Sequence, residues 1–350
     1  MFRTITAGAA ALPDWAAVVA AVLTQLGDAW FLYLGLALLY WVGDDRLAAN
    51  PRRVGATVVA VGLGALAVTV GFKSVFAFPR PPGAGEATVP LWLPELFHGV
   101  YVDTATGDGF GFPSGHAIGA TMVYGALATF LDVGTRRSRR RVAALLIGVV
   151  ALTRIALGVH YLADVVVGIA VGLAGLWLFQ RVARRGFRPN PDRAFFLSAG
   201  LGAVALVVAA VGGHGGEVLE AGIVLGGGLG GYAVWRVRGT DTTTVGPLET
   251  VVGLALIAAV FGSAYAVASV GLPYVFGVVP DTTPFRLLAA VPLSFAAVAL
   301  VVAWPTVVGR VRAMRDDGAN TEPVEDLITE AEPGEGDRDG DGAGPTERSE

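Results

Sequence analysis

The sequence predicts an all-α fold, that of a polytopic integral membrane protein with about nine transmembrane helices. Of its 350 residues, 54% are hydrophobic and only 15% are charged, whereas soluble domains carry about 25% charged residues. The apolar residues collect in runs of roughly 20, the length of a helix that crosses a bilayer. There is no cysteine, which excludes a disulfide, a thiolate nucleophile and a cysteine metal site.

Nine apolar segments in chain order define the predicted helices. They lie at 14–42, 54–77, 116–131, 142–157, 161–180, 194–211, 217–235, 247–270 and 286–309. The first segment is too long for one simple span, and Gly27-Asp28 interrupts it. We therefore expect a short interfacial helix followed by a helix that begins near Ala29.

The connections between these segments alternate in charge. Arginine-rich connections lie at 44–53, 136–141, 181–193, 236–238 and 310–315, whereas those at 78–115, 158–160, 212–216 and 271–285 contain few basic residues. Because arginine and lysine favour the cytoplasmic side of a membrane, the arginine-rich connections are expected in the cytoplasm. The long loop 78–115 is then expected on the outer face.

The C-terminal segment 316–350 differs in composition from the rest of the chain. It holds thirteen acidic residues and two arginines, a balance of −11, so the first 315 residues carry +7 against a total of −4. It is rich in Gly and Pro and poor in aromatic residues. Such a composition predicts a disordered acidic tail in the cytoplasm.

The chain has a single lysine, Lys73, against twenty-four arginines. It lies at the end of an apolar segment, seven residues before Arg80. An ionisable group at a membrane edge marks a functional site unless it merely reaches the interface as a snorkelling side chain. Pro79 and Pro81 predict that the helix ends here. Two cations that bracket a helix end suit a bound phosphate.

A second polar segment reads Pro113-Ser114-Gly115-His116 before an apolar run. Pro followed by Ser predicts a helix start, and the N–H groups at a helix N-terminus bind anions. His116 would then lie in the first turn, beside the anion. The alternative is an ordinary N-cap at Ser114 with an interfacial histidine.

The third segment places Arg154, His160 and Asp164 within apolar sequence. His160 and Asp164 are four residues apart and so adjacent on a helix face. A carboxylate on one ring nitrogen sets the histidine tautomer and leaves the other nitrogen nucleophilic. The alternative is a purely structural ion pair between Asp164 and Arg154.

Together the segments read Lys-x6-Arg-Pro, Pro-Ser-Gly-His and Arg-x5-His-x3-Asp. This order resembles the type-2 phosphatidic acid phosphatase superfamily of membrane lipid phosphatases, which is related to vanadium haloperoxidases. Thr153 stands where the third motif usually has Ser before the arginine. The resemblance covers about residues 26–180 and implies a six-helix phosphatase-type core within 1–193. Residues 194–315 would add transmembrane helices of unknown role before the tail at 316–350.

The resemblance implies a role for each motif residue. His160 would attack phosphorus and form a phosphohistidine, Asp164 would orient it, and His116 would protonate the leaving oxygen and then activate water. Neither a metal nor a cofactor is implied. The phosphate-binding residues would be Lys73, Arg80, Ser114, Gly115 and Arg154.

The implied partner is a lipid phosphate in the membrane, with no nucleic acid, and the oligomeric state stays open. Both polyprenyl diphosphates and phosphatidate-like monoesters suit a site at the outer face, and the breadth of the family favours an isoprenoid diphosphate. The alternatives are a lipid phosphotransferase with an alcohol acceptor, a non-enzymatic lipid-phosphate transporter and a vanadate-holding haloperoxidase.

Three further polar residues are less determined by the sequence. Asp28 either contacts the site or caps the helix that follows it. His98 is better explained as a polar residue of the outer loop than as part of the site entrance. His214, within a run of glycines, is expected in a turn.

Overall fold

The computed structural model describes residues 12–185, 188–238, 243–266 and 283–319. These residues are helical apart from connecting loops and one short antiparallel ladder, in which β1 (Arg184–Arg185) pairs with β2 (Arg188–Pro189). The all-α prediction is therefore confirmed. Contacts divide the chain into one compact unit that ends at Val308 and a second that begins at Gly309.

Eleven helices follow one another along the described residues. They are α1 (Asp14–Thr24), α2 (Ala29–Val42), α3 (Pro51–Phe76), α4 (His98–Ala105), α5 (Gly115–Phe130), α6 (Arg136–Ala156), α7 (Leu162–Val182), α8 (Pro191–Gly212), α9 (Gly215–Arg238), α10 (Pro247–Ala266) and α11 (Thr283–Ala319). Short 3₁₀ turns at Gln25–Gly27 and Glu95–Phe97 precede α2 and α4.

Several of these helices suit a multi-pass membrane protein. Five are long and apolar enough to cross a bilayer: Pro51–Phe76, Leu162–Val182, Pro191–Gly212, Gly215–Arg238 and Leu287–Asp316. The bent pair Asp14–Gly27 and Ala29–Val42, with 46° between its halves, makes a sixth if it is one span. The break falls at the interruption that the sequence predicts.

The count of nine spans stays a prediction. Among the remaining described helices, α5 has only 16 residues, which is short of the roughly 20 that a bilayer requires. In α6, arginines occupy most of the first two turns, so its apolar part is shorter than the helix. Helix α10 has a shorter apolar stretch, Pro247–Val260.

Helix α3 lies at the centre of the packing and contacts α2, α5, α7, α8 and α9. Small residues along it allow this close approach, since a side chain at Gly64 would overlap the ring of Phe179. Helix α8 is tied to it by the Ser198 hydroxyl, which donates to the carbonyl of Ala60 at 2.6 Å. Helices α8 and α9 therefore pack directly against the helix that carries Lys73.

Helix α11 is joined to α2 by two hydrogen bonds. The indole of Trp41 donates to the carbonyl of Val301 at 2.8 Å, and the hydroxyl of Tyr40 donates to Val302 at 2.9 Å. Two predicted segments lie wholly or mostly outside the described residues: the connection 271–285 as far as residue 282, and the acidic tail from residue 320 onward.

Candidate active site

The first motif lies at the C-terminal end of α3. Ala77 ends the helix in the left-handed conformation, φ 47°, and its N–H donates to the carbonyl of Lys73 at 2.8 Å. The chain then turns away before Arg80. The prediction that Lys73 and Arg80 bracket a helix end is therefore confirmed.

The guanidinium of Arg80 is anchored by backbone. Its Nε donates to the carbonyl of Asp108 at 2.7 Å, and its Nη1 donates to the carbonyl of Val159 at 3.1 Å. Burial lowers the pKa of Arg80 from its ordinary value, but a guanidinium stays charged. Two glycines make room for it, since a Cβ at Gly107 would lie 2.6 Å from Nη1 and one at Gly111 would lie 3.0 Å from the Arg80 Cα.

His160 lies in the turn between α6 and α7, where Gly158 adopts φ 71°. Its Nδ1 is 3.4 Å from Oδ2 of Asp164, and the same oxygen accepts from the N–H of Tyr161 at 2.8 Å. His160 is 1% exposed and Asp164 is 4% exposed. The sequence predicts this pairing, and the structure places it in the protein interior.

The second ring nitrogen of His160 faces Arg80. Nε2 lies 3.2 Å from Nη1 of Arg80, and a guanidinium only donates, so Nε2 must accept and Nδ1 must carry the proton. Burial, followed by the charges of Arg80 and Arg154, lowers the pKa of His160 well below 6.5. The imidazole is therefore neutral, and its lone pair is on Nε2.

The second motif begins α5 at Gly115, as predicted, with Ser114 in the N-cap position. The Ser114 side chain does not cap the helix, and its Oγ is buried without a hydrogen-bond partner. The ordinary N-cap alternative is therefore wrong. The backbone N–H of Ser114 donates to the carbonyl of Asp164 at 3.0 Å, which joins the second motif to the third.

His116 follows in the first turn of α5, with a quarter of its side chain exposed. Its Nε2 lies 3.7 Å from Oδ2 of Asp28, which is longer than a hydrogen bond. Asp28 also caps α2 by accepting from the N–H of Trp30 at 3.4 Å. Both roles that the sequence allows for Asp28 are therefore present.

Arg154 lies in the last turn of α6 and is 3% exposed. Its Nη1 donates to Oγ1 of Thr24 at 3.2 Å and to the carbonyl of Thr104 at 3.5 Å, while its Nε is buried without a partner. Within the described ranges Arg154 forms no ion pair with Asp164. The alternative of a purely structural pair between them is therefore wrong.

A cavity of about 210 Å³ opens beside His116, between α2, α3 and α5. Its charged lining consists of Asp28, Lys73, His116 and Glu220, with Gly115 at the start of α5. The remaining walls are mainly apolar or small side chains: Leu32, Ala65, Leu66, Gly119 and Val123, together with Tyr33. The cavity therefore has one polar end and one apolar end.

Sequence reasoning missed Glu220, which α9 brings into this cavity. The signal was available, because an acidic residue within an apolar span is costly and marks a function by default. His98 contacts the carbonyl of Leu93 at 2.8 Å within the loop 78–115. His214 lies between α8 and α9, after Gly213 at φ 71°. Both histidines agree with their predicted placement.

A comparison with protein families matches the part of the chain that contains the three motifs. Residues 53–188 match the PAP2 superfamily, which confirms the predicted family for the segment that contains all three motifs. The match indicates a phosphatase of phosphate esters. It covers less than half of the chain and includes neither Asp28 nor Glu220. No curated protein and no solved structure matches the chain.

Proposed function

We propose that this protein is a membrane lipid phosphatase that hydrolyses a phosphate monoester or diphosphate of a lipid through a phosphohistidine intermediate, without a metal. One arrangement carries the proposal. A buried, neutral His160 is oriented by Asp164 and faces Arg80, while His116 lines a cavity with apolar walls.

In the first step, Nε2 of His160 attacks phosphorus, and the bond from phosphorus to the leaving oxygen breaks. The imidazole gains positive charge as the new N–P bond forms. Asp164 accepts the Nδ1 proton in a hydrogen bond and stabilises that charge. Arg80 now donates to Nε2, so a phosphate oxygen must take the place of Nε2 as its acceptor.

His116 completes the reaction from the opposite side. In its protonated form it gives its proton to the leaving oxygen, and as a neutral base it then takes a proton from water. The hydroxide so formed attacks phosphorus, the N–P bond breaks, and inorganic phosphate leaves. Two observations support this role: His116 lines the cavity, and its Nε2 is buried without a hydrogen-bond partner, which a leaving oxygen or a water in the cavity would supply.

Unsatisfied polar atoms support a phosphate site among the three motifs. Ser114 Oγ and Arg154 Nε are buried without hydrogen-bond partners, and an unmet buried polar group costs about 1–3 kcal/mol. Non-bridging phosphate oxygens would satisfy both. Lys73, Arg80 and the N–H of Gly115 would supply the remaining donors for the charge that builds up in the transition state.

The cavity supports a lipid substrate. Its apolar walls come from α2, α3 and α5, and α3 is itself a candidate membrane span. A phosphate at the polar end would leave the hydrocarbon chain against these walls. A water-soluble phosphate ester would gain nothing from them.

The experiment is phosphate release from a panel of lipid phosphates in detergent with EDTA. Wild type should release phosphate, and His160→Ala should not, because it lacks the nucleophile. His98→Ala is the matched control, since His98 lies in the outer loop, and it should retain activity. Transfer to an added alcohol in place of release would favour the phosphotransferase. If wild type neither releases nor transfers phosphate, hydrolysis is wrong and transport becomes the better function.

We propose that the site lies on the outer face, because the arginine-rich connections predict the opposite face as cytoplasmic. A tag placed after Glu350 should then be protected from external protease in intact cells and cleaved after lysis. The control is a tag inserted in the loop 78–115, which should be cleaved in intact cells. Cleavage of the C-terminal tag in intact cells would invert this topology.

A further inference from the structure

We propose that Glu220 is a specificity-determining residue that makes this site favour lipid phosphate monoesters over lipid diphosphates. This inference rests on the proposed function. Glu220 lies on α9, outside the segment that matches the family. The inference therefore gives the helices after residue 190 a part in substrate selection.

Two contacts near the start of α9 set its position. Val70 of α3 packs with Ala205 of α8 and Ala221 of α9 in one buried cluster. The ring of His214, directly before α9, meets the ring of Phe110 edge to face, with 4.8 Å between centroids. Glu220 immediately precedes Ala221, so the same packing holds it at the cavity.

The cavity is the place of the leaving group. In an in-line displacement the leaving oxygen lies opposite the attacking nitrogen, and the group that protonates it must be within reach. That group is His116, which lines the cavity, whereas His160 does not. Whatever is bonded to the leaving oxygen must therefore occupy the space between His116, Lys73 and Glu220.

Lys73 and Glu220 face this space without touching each other. Within the part of the chain that the structure describes, neither side chain makes an ion pair or a hydrogen bond. The ammonium of Lys73 nevertheless lies within electrostatic range of the carboxylates of Glu220, Glu217 and Asp108. Of these three, Glu220 alone lines the cavity. An occupant between them meets a cation on the side of the transferred phosphate and an anion on the far side.

The charge balance then discriminates between leaving groups. With His116 protonated for the first step, two cations (Lys73 and His116) and two carboxylates (Asp28 and Glu220) line the cavity. Lys73 also serves the transferred phosphate, as Arg80 and Arg154 do. A monoester releases a neutral alcohol, which can donate a hydrogen bond to Glu220. A diphosphate attacked at its terminal phosphorus releases the lipid monophosphate, whose added negative charge finds no spare cation and meets the carboxylate of Glu220.

The test compares kcat/KM for phosphatidate and for a polyprenyl diphosphate in the same detergent, for wild type and Glu220→Gln. Wild type should favour phosphatidate, and the nearly isosteric Glu220→Gln should shift the ratio toward the diphosphate by about tenfold. Retained phosphatidate hydrolysis would show that the variant folds. Glu217→Gln is the matched control, because it removes the same charge one turn earlier on α9, outside the cavity lining, and it should leave the ratio unchanged.

The proposal is overturned by a wild-type preference for the diphosphate, or by an unchanged ratio in both Glu220→Gln and Glu220→Ala. Failure of the proposed function looks different, because wild type would then hydrolyse neither lipid. A loss of both activities in Glu220→Gln, in a variant that elutes as wild type does, would assign Glu220 to general catalysis and would also overturn the proposal.

Discussion

The two histidines of the candidate site lie in opposite surroundings. The side chain of His160 is 2% exposed and makes contact through both ring nitrogens, with Asp164 on one and Arg80 on the other. The side chain of His116 is 25% exposed, and its nearest charged atom, on Asp28, is 3.7 Å away. One histidine is held in place, whereas the other is open to a cavity.

This difference follows from what each residue must do in the proposed reaction. A nucleophile gains from a fixed orientation and a dry environment that keeps it neutral. A residue that gives a proton to one molecule and takes one from another needs access to both, so it cannot be enclosed. Each substitution below changes either the surroundings of His160 or those of His116 and the cavity.

The largest effect is expected for His160→Ala, which removes the nucleophile. Phosphate release should fall by about 10⁴-fold or more, and the labelled phosphoenzyme seen on brief incubation with a radioactive lipid phosphate should disappear. His116→Ala should also be slow in both steps, but it keeps the nucleophile. The phosphoenzyme that it does form should persist, because His116 is also the base that activates water for its hydrolysis. A phosphoenzyme in His160→Ala would assign the nucleophile to another residue.

Asp164→Asn should come next, because the amide can donate to Nδ1 and favour the wrong tautomer of His160. We expect kcat to fall by about 10²-fold to 10⁴-fold with a smaller change in KM, measured by steady-state phosphate release. Asp132→Asn, which changes a carboxylate that accepts from the N–H of Ala49, is the control and should behave as wild type. Equal effects of the two variants would speak against an orienting role for Asp164.

Lys73→Arg keeps the charge and changes its shape. The planar guanidinium would replace a compact ammonium in a phosphate site that already has the guanidinium groups of Arg80 and Arg154. We therefore expect a loss of about tenfold in kcat/KM, less than the roughly 10²-fold to 10³-fold loss typical of deleting a donor. The control is Arg139→Lys, because Arg139 donates to the backbone carbonyls of Ala128 and Gly134 and belongs to none of the three motifs. It should leave kcat/KM unchanged. If Lys73→Arg is as active as wild type, the lone lysine is an accident of composition.

Asp28→Asn should have the smallest effect. Asparagine remains a good N-cap for α2, so folding should persist, but the charge beside His116 is lost. We expect kcat to fall about threefold to tenfold, a small part of what general acid–base catalysis contributes, with KM little changed. Asp28→Ser also preserves the cap and should match it. An unchanged kcat in both variants would leave Asp28 as a cap only.

Much of the site could be predicted from the sequence because its chemistry is local. His160 and Asp164 are four residues apart, Ser114 and His116 begin one helix, and Lys73 and Arg80 flank one helix end. The number of membrane spans is harder to predict from the sequence than the site residues are. Apolar runs mark where a chain avoids water, but α5 and α6 combine short apolar stretches with burial against other helices.

What the sequence by itself determined was the all-α membrane class, the three motifs and their order, since these depend on composition and short spacings. Only the tertiary structure decided which distant residues share the site. Asp28 comes from the break before α2, and Glu220 comes from α9, more than a hundred residues after the second motif. Such proximity arises from the packing of α2 and α9 against α3, and no local pattern encodes which helix faces meet.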